Sequence, residues 1–489
     1  MTQRFVRILF AVMIAGMLTA CGSGSDRTRF SVRFIHAVAD AFPVDIWVQD
    51  RTSQLFGNLT YATATGFQAL EPGTYVFEVR PAGAARDDPA LASVEVTVEE
   101  TQTSFTIIIG GLANVPDTDP DALRLDVYQD GFEGDGLATL MRFVHNAAGE
   151  PTFDLEVVDD DPLPDIDGSA SLTGLERYTA SDAAGVRIDS LDPEQLQVFD
   201  NGTGDALSSF TTPELDESTR YYAVFLGSLS TSPRDDEGFR ILLADSRGGF
   251  QIIEQNPRLY FFNSIADSTT VDSTFRFLDE LGEPVGLPQE LENNILYADL
   301  GGDSGISLQL PPGEYEFTFQ IPGDLEPIGV DFSGVLLRGQ QYLYVIGGRR
   351  DRTWPFQLIR AQDLFDRSAL GMDTVNRWRI LQAAPDIQSV FFGQIMNMMF
   401  ETLPAFPDPI FYGASTEPTG EDIGLNEFEL AVVREADSSE FGLFDIVPVA
   451  NALEFVVLLG SVEVLGSPPQ LSFIDTSVQP WALREQLAR

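Results

Sequence analysis

Arg33-Phe34-Ile35-His36-Ala37-Val38-Ala39-Asp40 decides the fold, because this chain of 489 residues repeats its pattern three more times. The related segments are Arg142-Phe143-Val144-His145-Asn146-Ala147-Ala148, Tyr260-Phe261-Phe262-Asn263-Ser264-Ile265-Ala266-Asp267 and Arg379-Ile380-Leu381-Gln382-Ala383-Ala384-Pro385-Asp386. They recur about every 110 to 120 residues, which is the size of a small domain. The repetition therefore indicates four tandem copies of one structural unit.

Further landmarks follow each segment in the same order. Asp45, Asp154 and Asp272 follow the polar residue in the first three copies, whereas Phe391 stands there in the fourth. Turn-then-strand runs occupy Leu70 to Val79, Leu191 to Phe199 and Leu310 to Phe319, and late apolar strands end at Gly110, Gly227, Gly347 and Gly460. Alternating aromatic and β-branched residues between Pro-Gly turns favour strands. The sequence predicts an all-β protein of four antiparallel β-sandwiches.

The first copy resembles a bacterial envelope family called domain of unknown function 4397. The resemblance rests on His36, Asp40, Val44, Asp45 and the turn Leu70-Glu71-Pro72-Gly73-Thr74-Tyr75. The later copies match progressively less. The resemblance implies tandem immunoglobulin-like modules outside the cytoplasm, and it carries no catalytic residues over to this chain.

The repeats and the amino terminus together give the predicted domain organisation. We expect a signal peptide at 1–20, a flexible tether at 21–26 and modules at 27–135, 136–252, 253–372 and 373–489. Strung end to end, four such modules would reach about 100 Å.

The amino terminus predicts export. Arg4 and Arg7 precede an apolar run from Ile8 to Ala20, which is too short to span a bilayer. The run ends in Leu18-Thr19-Ala20-Cys21, which resembles the bacterial lipoprotein box and implies acylation of Cys21, the only cysteine. Gly22, rather than Asp, follows it, as in outer-membrane lipoproteins of Gram-negative cells. The alternative is an ordinary signal peptide with a stray cysteine.

Composition excludes several classes of function. All 29 basic residues are arginine, so lysine-based chemistry is impossible, and one cysteine with two histidines leaves no multi-cysteine or H-E-x-x-H metal site. The net charge of −46 makes nucleic acid an improbable partner. We assign no catalytic, cofactor-binding or metal-ligating residue.

The histidines and acids still raise two hypotheses. His36 with Asp45, and His145 with Asp154, could form a base and its orienting carboxylate, but Asn263 with Asp272 replaces the pair in the third copy and favours a structural role. The acids at Asp117 to Asp121 and Asp159 to Asp167 match no standard calcium loop, so Ca²⁺ stays a hypothetical partner that no standard motif supports.

Phe391 to Phe400 holds three of the eight methionines. It is either an adaptable contact surface or an internal packing segment, and packing is the favoured interpretation.

Taken together, the sequence predicts a non-catalytic protein anchored in the cell envelope through Cys21. Its modules would bind a protein or glycan partner, mediate adhesion or act as a spacer. The alternative is an envelope hydrolase that cleaves glycans with carboxylates in an inter-domain cleft.

Overall fold

The computed structural model describes residues 30–98, 104–132, 138–158, 171–188, 193–301, 309–368, 370, 375–396, 398–464 and 466–488. Every regular element in these ranges is a β-strand, which confirms the predicted all-β fold. None of the described residues forms a helix long and apolar enough to cross a membrane. The predicted signal peptide, the tether and Cys21 lie outside the described residues.

The strands form four groups, which we call units 1 to 4. Unit 1 contains β1 (Phe30–His36), β2 (Val44–Val48), β3 (Phe56–Leu59), β4 (Thr63–Ala64), β5 (Gln68–Leu70), β6 (Gly73–Pro81), β7 (Ala92–Val98), β8 (Ser104–Gly110) and β9 (Arg124–Gln129). Unit 2 contains β10 (Thr139–His145), β11 (Phe153–Val158), β12 (Ser171–Leu175), β13 (Thr179–Ala180), β14 (Val186–Ile188), β15 (Gln195–Asp200), β16 (Ala206–Thr211), β17 (Arg220–Leu226), β18 (Arg240–Asp245) and β19 (Phe250–Glu254).

The second half of the chain repeats this arrangement. Unit 3 contains β20 (Arg258–Asn263), β21 (Thr270–Leu278), β22 (Pro284–Leu296), β23 (Leu300–Gly301), β24 (Tyr315–Gln320), β25 (Gly329–Phe332), β26 (Gln341–Gly347) and β27 (Gln357–Gln362). Unit 4 contains β28 (Asn376–Gln382), β29 (Ser389–Met396), β30 (Met399–Thr402), β31 (Ile410–Phe411), β32 (Glu421–Asp422), β33 (Phe428–Arg434), β34 (Glu440–Ile446), β35 (Ala452–Leu459), β36 (Gln470–Asp475) and β37 (Ala482–Leu487).

Each unit is a pair of sheets with the same strand order. The sheet that holds the repeated segment, which we call the inner sheet, has the orders β4-β1-β8-β9, β13-β10-β17-β18-β19, β23-β20-β26-β27 and β32-β28-β35-β36-β37. The outer sheets have the orders β3-β2-β6-β7, β12-β11-β15-β16, β22-β21-β24-β25 and β30-β29-β33-β34. The short strands β5 and β14 also pair with the inner sheets, and β31 pairs with an outer sheet. The units are therefore four copies of one two-sheet topology.

One ladder in each unit is parallel, a detail that the sequence pattern did not indicate. β1 pairs in parallel with β8, where Ile35 lies opposite Ile108, and β10, β20 and β28 pair likewise with β17, β26 and β35. The other ladders are antiparallel. Between its two parallel strands the chain crosses to the outer sheet and returns, so the late strand runs in the direction of the first.

Alternate residues of the repeated segment enter two different cores. In β1, Val32 and Phe34 pack between the two sheets of unit 1. Ile35 and Ala37 belong to a second core, together with Val144 and other residues of unit 2. The inner sheet is thus buried on both faces, which explains why its strands are almost continuously apolar.

This second core joins the units in pairs. The inner sheets of units 1 and 2 pack back to back through Ile108, Val224 and Leu242, among others. Units 3 and 4 pack in the same way through Phe262, Leu343 and other apolar residues. Two of the three junctions between consecutive units are therefore broad apolar contacts, so the units do not lie end to end at these two junctions.

The junction between units 2 and 3 is mostly polar. The side-chain oxygen of Gln309 accepts a hydrogen bond from the Ser209 amide at 2.8 Å. Arg234 and the buried Asp363 form an ion pair at 2.9 Å. Specific hydrogen bonds thus link the two pairs of units.

The methionine-rich segment divides between core and solvent. Phe392 is buried in the core of unit 4, whereas Met396 and Met399 are exposed in the β29–β30 hairpin. Met398 is 96% exposed and has a φ of +61°. The favoured packing interpretation therefore holds for the start of the segment and is wrong for the hairpin tip.

We expect Trp481→Ala to destabilise units 3 and 4 by about 3–5 kcal/mol, because a large buried ring leaves a cavity. Trp481 is buried and stacks on Tyr260, with ring centroids 4.1 Å apart. Trp354→Ala is the matched control, since that ring is half-buried and packs edge-on against Tyr412. Calorimetry should show a much larger loss for Trp481→Ala, and equal losses would contradict the shared core.

Met398→Glu should leave the thermal midpoint almost unchanged, because its side chain contacts mainly solvent. Phe392→Glu should unfold unit 4, since it would bury an unpaired charge. Thermal scans monitored by near-ultraviolet circular dichroism measure both variants. A large midpoint loss in Met398→Glu would show that the hairpin tip packs against another part of the protein.

Candidate functional site

The two histidines fix loops. The Nδ1 atom of His36 accepts a hydrogen bond from the Val38 amide at 3.3 Å, and Nε2 faces the Phe42 carbonyl at 3.5 Å. In unit 2, His145 Nδ1 accepts from the Ala147 amide at 3.3 Å, and Nε2 lies 2.8 Å from the Pro151 carbonyl. Both rings are fully buried, and both nitrogens are engaged by the backbone.

Amide side chains make the equivalent bonds in units 3 and 4. Asn263 accepts from the Ile265 amide and donates to the Ile295 carbonyl, both at 3.0 Å. Gln382 accepts from the Ala384 amide at 2.7 Å and donates to a loop carbonyl at 3.2 Å. The position therefore requires one acceptor and one donor, and titration is not needed there.

The aspartates of the hypothesised pairs bind the backbone of other loops. Asp45 accepts from the amides of Asn58 at 2.7 Å and Gly83 at 2.9 Å, and Asp154 accepts from Gly174 at 2.7 Å. Asn58 and Gly174 both have positive φ, so the carboxylates stabilise tight turns. The described hydrogen bonds of His36 and His145 include neither aspartate, and this supports the structural interpretation.

Burial, rather than a carboxylate, governs the titration of both rings. Loss of solvation lowers the pKa of His36 and of His145 from 6.5 to about 4, and the hydrogen bonds to the loop carbonyls only partly oppose this. The rings are therefore neutral at pH 7.

The acidic run in unit 1 makes a contact between units. Asp121 binds Arg177 at 2.6 Å and accepts a hydrogen bond from the Tyr178 hydroxyl at 2.7 Å, while Asp119 accepts from the Asp121 amide. Within the described ranges, no group of three or more His, Cys, Asp and Glu side chains could hold a metal ion. The second run, Asp159 to Asp167, lies outside the described residues.

The candidate binding site is a cleft of about 550 Å³ at one end of the junction between units 1 and 2. It is lined by Ser31, Phe67, Ser104, Asp130, Phe132, Arg220, Ser246 and Arg247. Gly248 has a positive φ, and its ideal Cβ would lie 3.4 Å from the backbone of Gly66, so the β18–β19 turn approaches unit 1 closely. The paired inner sheets thus bring residues from distant parts of the sequence together.

The buried Arg33 and the hydrogen-bonded Asp130 hold together the residues of units 1 and 2 next to this cleft. Arg33 is fully buried and donates hydrogen bonds to Thr106 and to two backbone carbonyls of unit 2. Its guanidinium lies 4.7 Å from the centroid of Phe67 and 5.3 Å from that of Tyr222. The Tyr222 hydroxyl donates to Asp130 at 2.7 Å.

Arginines surround Asp130. Burial raises the pKa of Asp130, while the Tyr222 hydrogen bond and the charges of Arg33, Arg142 and Arg220 oppose this rise. Arg247 forms an ion pair with Asp216 at 2.6 Å, and both side chains are mostly exposed. This region is therefore rich in arginine within a strongly acidic protein.

A second cavity of about 530 Å³ lies in unit 4. Its lining includes the carboxylates of Asp408, Glu417 and Glu421 together with the buried Arg379. Arg379 donates to Ser415 at 3.1 Å and to a carbonyl of unit 3.

Comparison with known families finds a match in the amino-terminal part of the chain. Residues 30–156 match the family model of a domain of unknown function, DUF4397. This confirms the resemblance predicted from His36, Asp40, Asp45 and the Pro-Gly turn. The DUF4397 match covers unit 1, β10 and the first part of β11, and so includes five of the described residues that line the cleft. No curated protein matches the chain.

Sequence reasoning missed the cleft. Arg33 and Arg142 are charged residues within apolar runs of the repeated segment. This pattern was the one sequence signal for charged side chains near the cleft. Arg220 and Arg247 carry no sequence signal, since they enter the cleft only through the packing of unit 2 on unit 1.

The buried histidines should make the protein sensitive to acid. Because the folded-state pKa of each lies near 4 and the ordinary value is 6.5, the unfolded chain binds more protons between these values. Stability is fully present above pH 6.5 and falls toward pH 4, by up to about 3 kcal/mol for each histidine. We expect the thermal midpoint of a His36→Asn, His145→Asn double variant to fall less than that of the wild type when the pH is lowered from 6.5 to 4.

Calorimetry across this range measures the effect, and His36→Ala with His145→Ala is the control. The alanine variant leaves buried amides unpaired, so it should be destabilised by about 1–3 kcal/mol per site even at neutral pH. The same dependence on pH in the wild type and in the Asn variant would contradict the role of the histidines.

Proposed function

We propose that this protein is a non-catalytic lipoprotein of the cell envelope that uses its paired β-sandwich units to bind a partner. The lipoprotein box at Leu18 to Cys21 supports an anchor in the outer membrane of a Gram-negative cell. The DUF4397 resemblance supports an extracytoplasmic location.

The cleft between units 1 and 2 carries the proposal of binding. It is open, is built on two packed sheets and combines aromatic, hydroxyl and charged side chains. Such sites on rigid scaffolds are suited to recognition. The repeated His, Asn and Gln side chains hold loops instead, so the repeated framework itself serves as the scaffold.

The pairing of units favours binding over spacing. A spacer gains reach when its domains are arranged end to end. Here each apolar junction places two units side by side, which sacrifices length, and the junction of units 1 and 2 also forms the cleft at its edge.

The second candidate is a glycan hydrolase, and the three carboxylates in the unit 4 cavity favour it. Glycoside hydrolysis uses two carboxyl groups. Among the described residues, one carboxylate, that of Asp130, lines the cleft between units 1 and 2, so this described lining suits binding better than glycoside hydrolysis. Turnover of a glycan library that is abolished by Glu417→Gln would establish the hydrolase.

Cys21→Ser should move the protein from the detergent-dependent membrane fraction to the soluble fraction, because the acyl chains that hold it are attached at that sulfur. Ser23→Ala is the matched control and should remain in the membrane. Fractionation followed by mass spectrometry of the amino-terminal peptide measures the outcome. An unmodified thiol in the native protein would overturn the anchor.

The soluble Cys21→Ser protein should retain a partner from envelope extracts, with and without Ca²⁺. Equal retention of the partner with and without Ca²⁺ would contradict a role for calcium in this binding. Failure to retain any envelope protein or glycan would contradict the binding role.

A further inference from the structure

The chemistry of the cleft narrows the class of ligand. Two of its eight described lining residues, Arg220 and Arg247, are arginines, and the charges of Arg33 and Arg142 also act on Asp130 in the cleft. The Arg220 side chain is exposed, and its charge acts on Asp130, which lines the same cleft, without a side-chain hydrogen bond or ion pair among the described contacts. Guanidinium groups bind carboxylates through paired hydrogen bonds, so this side of the cleft suits an anionic group.

The ion pair of Arg247 does not prevent this role. Arg247 and Asp216 are each about two-thirds exposed, and an exposed pair of this kind contributes little stability. A ligand carboxylate can therefore replace Asp216 at small cost.

The remaining lining suits a polyhydroxylated ring. Phe67 and Phe132 provide apolar surface, and Ser31, Ser104 and Ser246 provide hydroxyl groups. Asp130 is an acceptor whose Oδ1 atom already receives the Tyr222 hydroxyl, and its carboxylate retains further acceptor capacity for a ligand hydroxyl. An acidic peptide side chain would bring the negative charge without these hydroxyl donors.

We infer that this cleft binds a carboxylated sugar, a uronic acid unit of an acidic glycan. The carboxylate contacts Arg220 and Arg247, and the sugar hydroxyls contact the serines and Asp130. This inference rests on the proposed binding function and names its substrate class.

The net charge of −46 does not prevent an anion from binding here. At physiological ionic strength, charges more than about 8 Å apart in solvent are largely screened. The arginines of the cleft therefore act on a bound anion more strongly than the distant acids do. The acidic surface slows the approach of anions, and added salt screens this long-range repulsion as well as the attraction of the arginines.

Titration of the full chain in detergent with D-galacturonate tests the inference, with D-galactose and inorganic sulfate as comparison ligands. Galacturonate should bind at least about tenfold more tightly than either, because only it offers both the carboxylate and the hydroxyls. Arg220→Gln should weaken galacturonate binding by at least about tenfold. Arg51→Gln is the matched control, since Arg51 is exposed and lies outside the cleft, and it should leave binding unchanged.

The outcomes are distinct. If sulfate binds as tightly as galacturonate, the cleft is a site for anions in general and the sugar is not recognised. If galactose binds as tightly as galacturonate, the arginines do not contribute to binding. Either result would contradict the inference. No binding of galacturonate, or full binding by a folded Arg220→Gln variant with an unchanged thermal midpoint, would also overturn the inference. The fractionation of Cys21→Ser and the capture of another envelope partner do not depend on Arg220, so the proposed function would survive that failure.

Discussion

The structure depends on the burial of both faces of each inner sheet. Phe34 and Ile35 are neighbours in sequence, yet one packs inside unit 1 and the other against unit 2. Each fully buried side chain of this size contributes about 1.5–3 kcal/mol relative to exposure, so an isolated unit would present a strongly unfavourable surface. Pairing of the units follows from this constraint, and the parallel ladder at the centre of each inner sheet is typical of sheets covered on both sides.

The two pairs solve the same packing problem with different side chains. Units 1 and 2 place Arg33 and Arg142 against the rings of Tyr222 and Phe67, and Arg33 also bonds to carbonyls across the junction. Units 3 and 4 place Tyr260 at the corresponding position, stacked on Trp481. Arginine suits the first junction because its guanidinium is weakly hydrated, stacks on rings and still binds carbonyls. Unit 4 keeps an arginine at this position, Arg379, which donates a hydrogen bond to the Gln362 carbonyl of unit 3, so the second junction combines one charged position with one aromatic position.

The local pattern of the sequence predicted much of the fold. The repeats, the Pro-Gly turns and the late apolar strands placed β1, β6, β8 and their counterparts, because these signals are local. The structural role of the histidines also followed from the sequence, since Asn263 keeps the hydrogen bonds without the titration. The pairing of units could not be predicted in this way. Continuous apolar strands fit either a single thick core or two cores, and only the packing of Ile35 against unit 2 distinguishes them.

The same limit explains why the cleft was missed. Ser31 and Arg220 are distant in the chain and meet only because two inner sheets pack back to back. A list of charged residues cannot show which of 75 acids and 29 arginines face a common space. Asp121 illustrates this, because its position in an acidic run suggested calcium, whereas its neighbours in space are Arg177 and Tyr178.

The shared core also sets the order in which the chain can mature. During synthesis, unit 1 leaves the ribosome before unit 2, so the Ile35 face of its inner sheet stays uncovered until unit 2 has been made. A chain that ends after unit 1 would expose this apolar face and be prone to aggregation. A chain that ends after Glu254 would contain both units of the pair, so the face would be buried. Removal of one unit of a pair would likewise expose the apolar face of its partner, so this chain can be shortened without exposing such a face only by removing a whole pair.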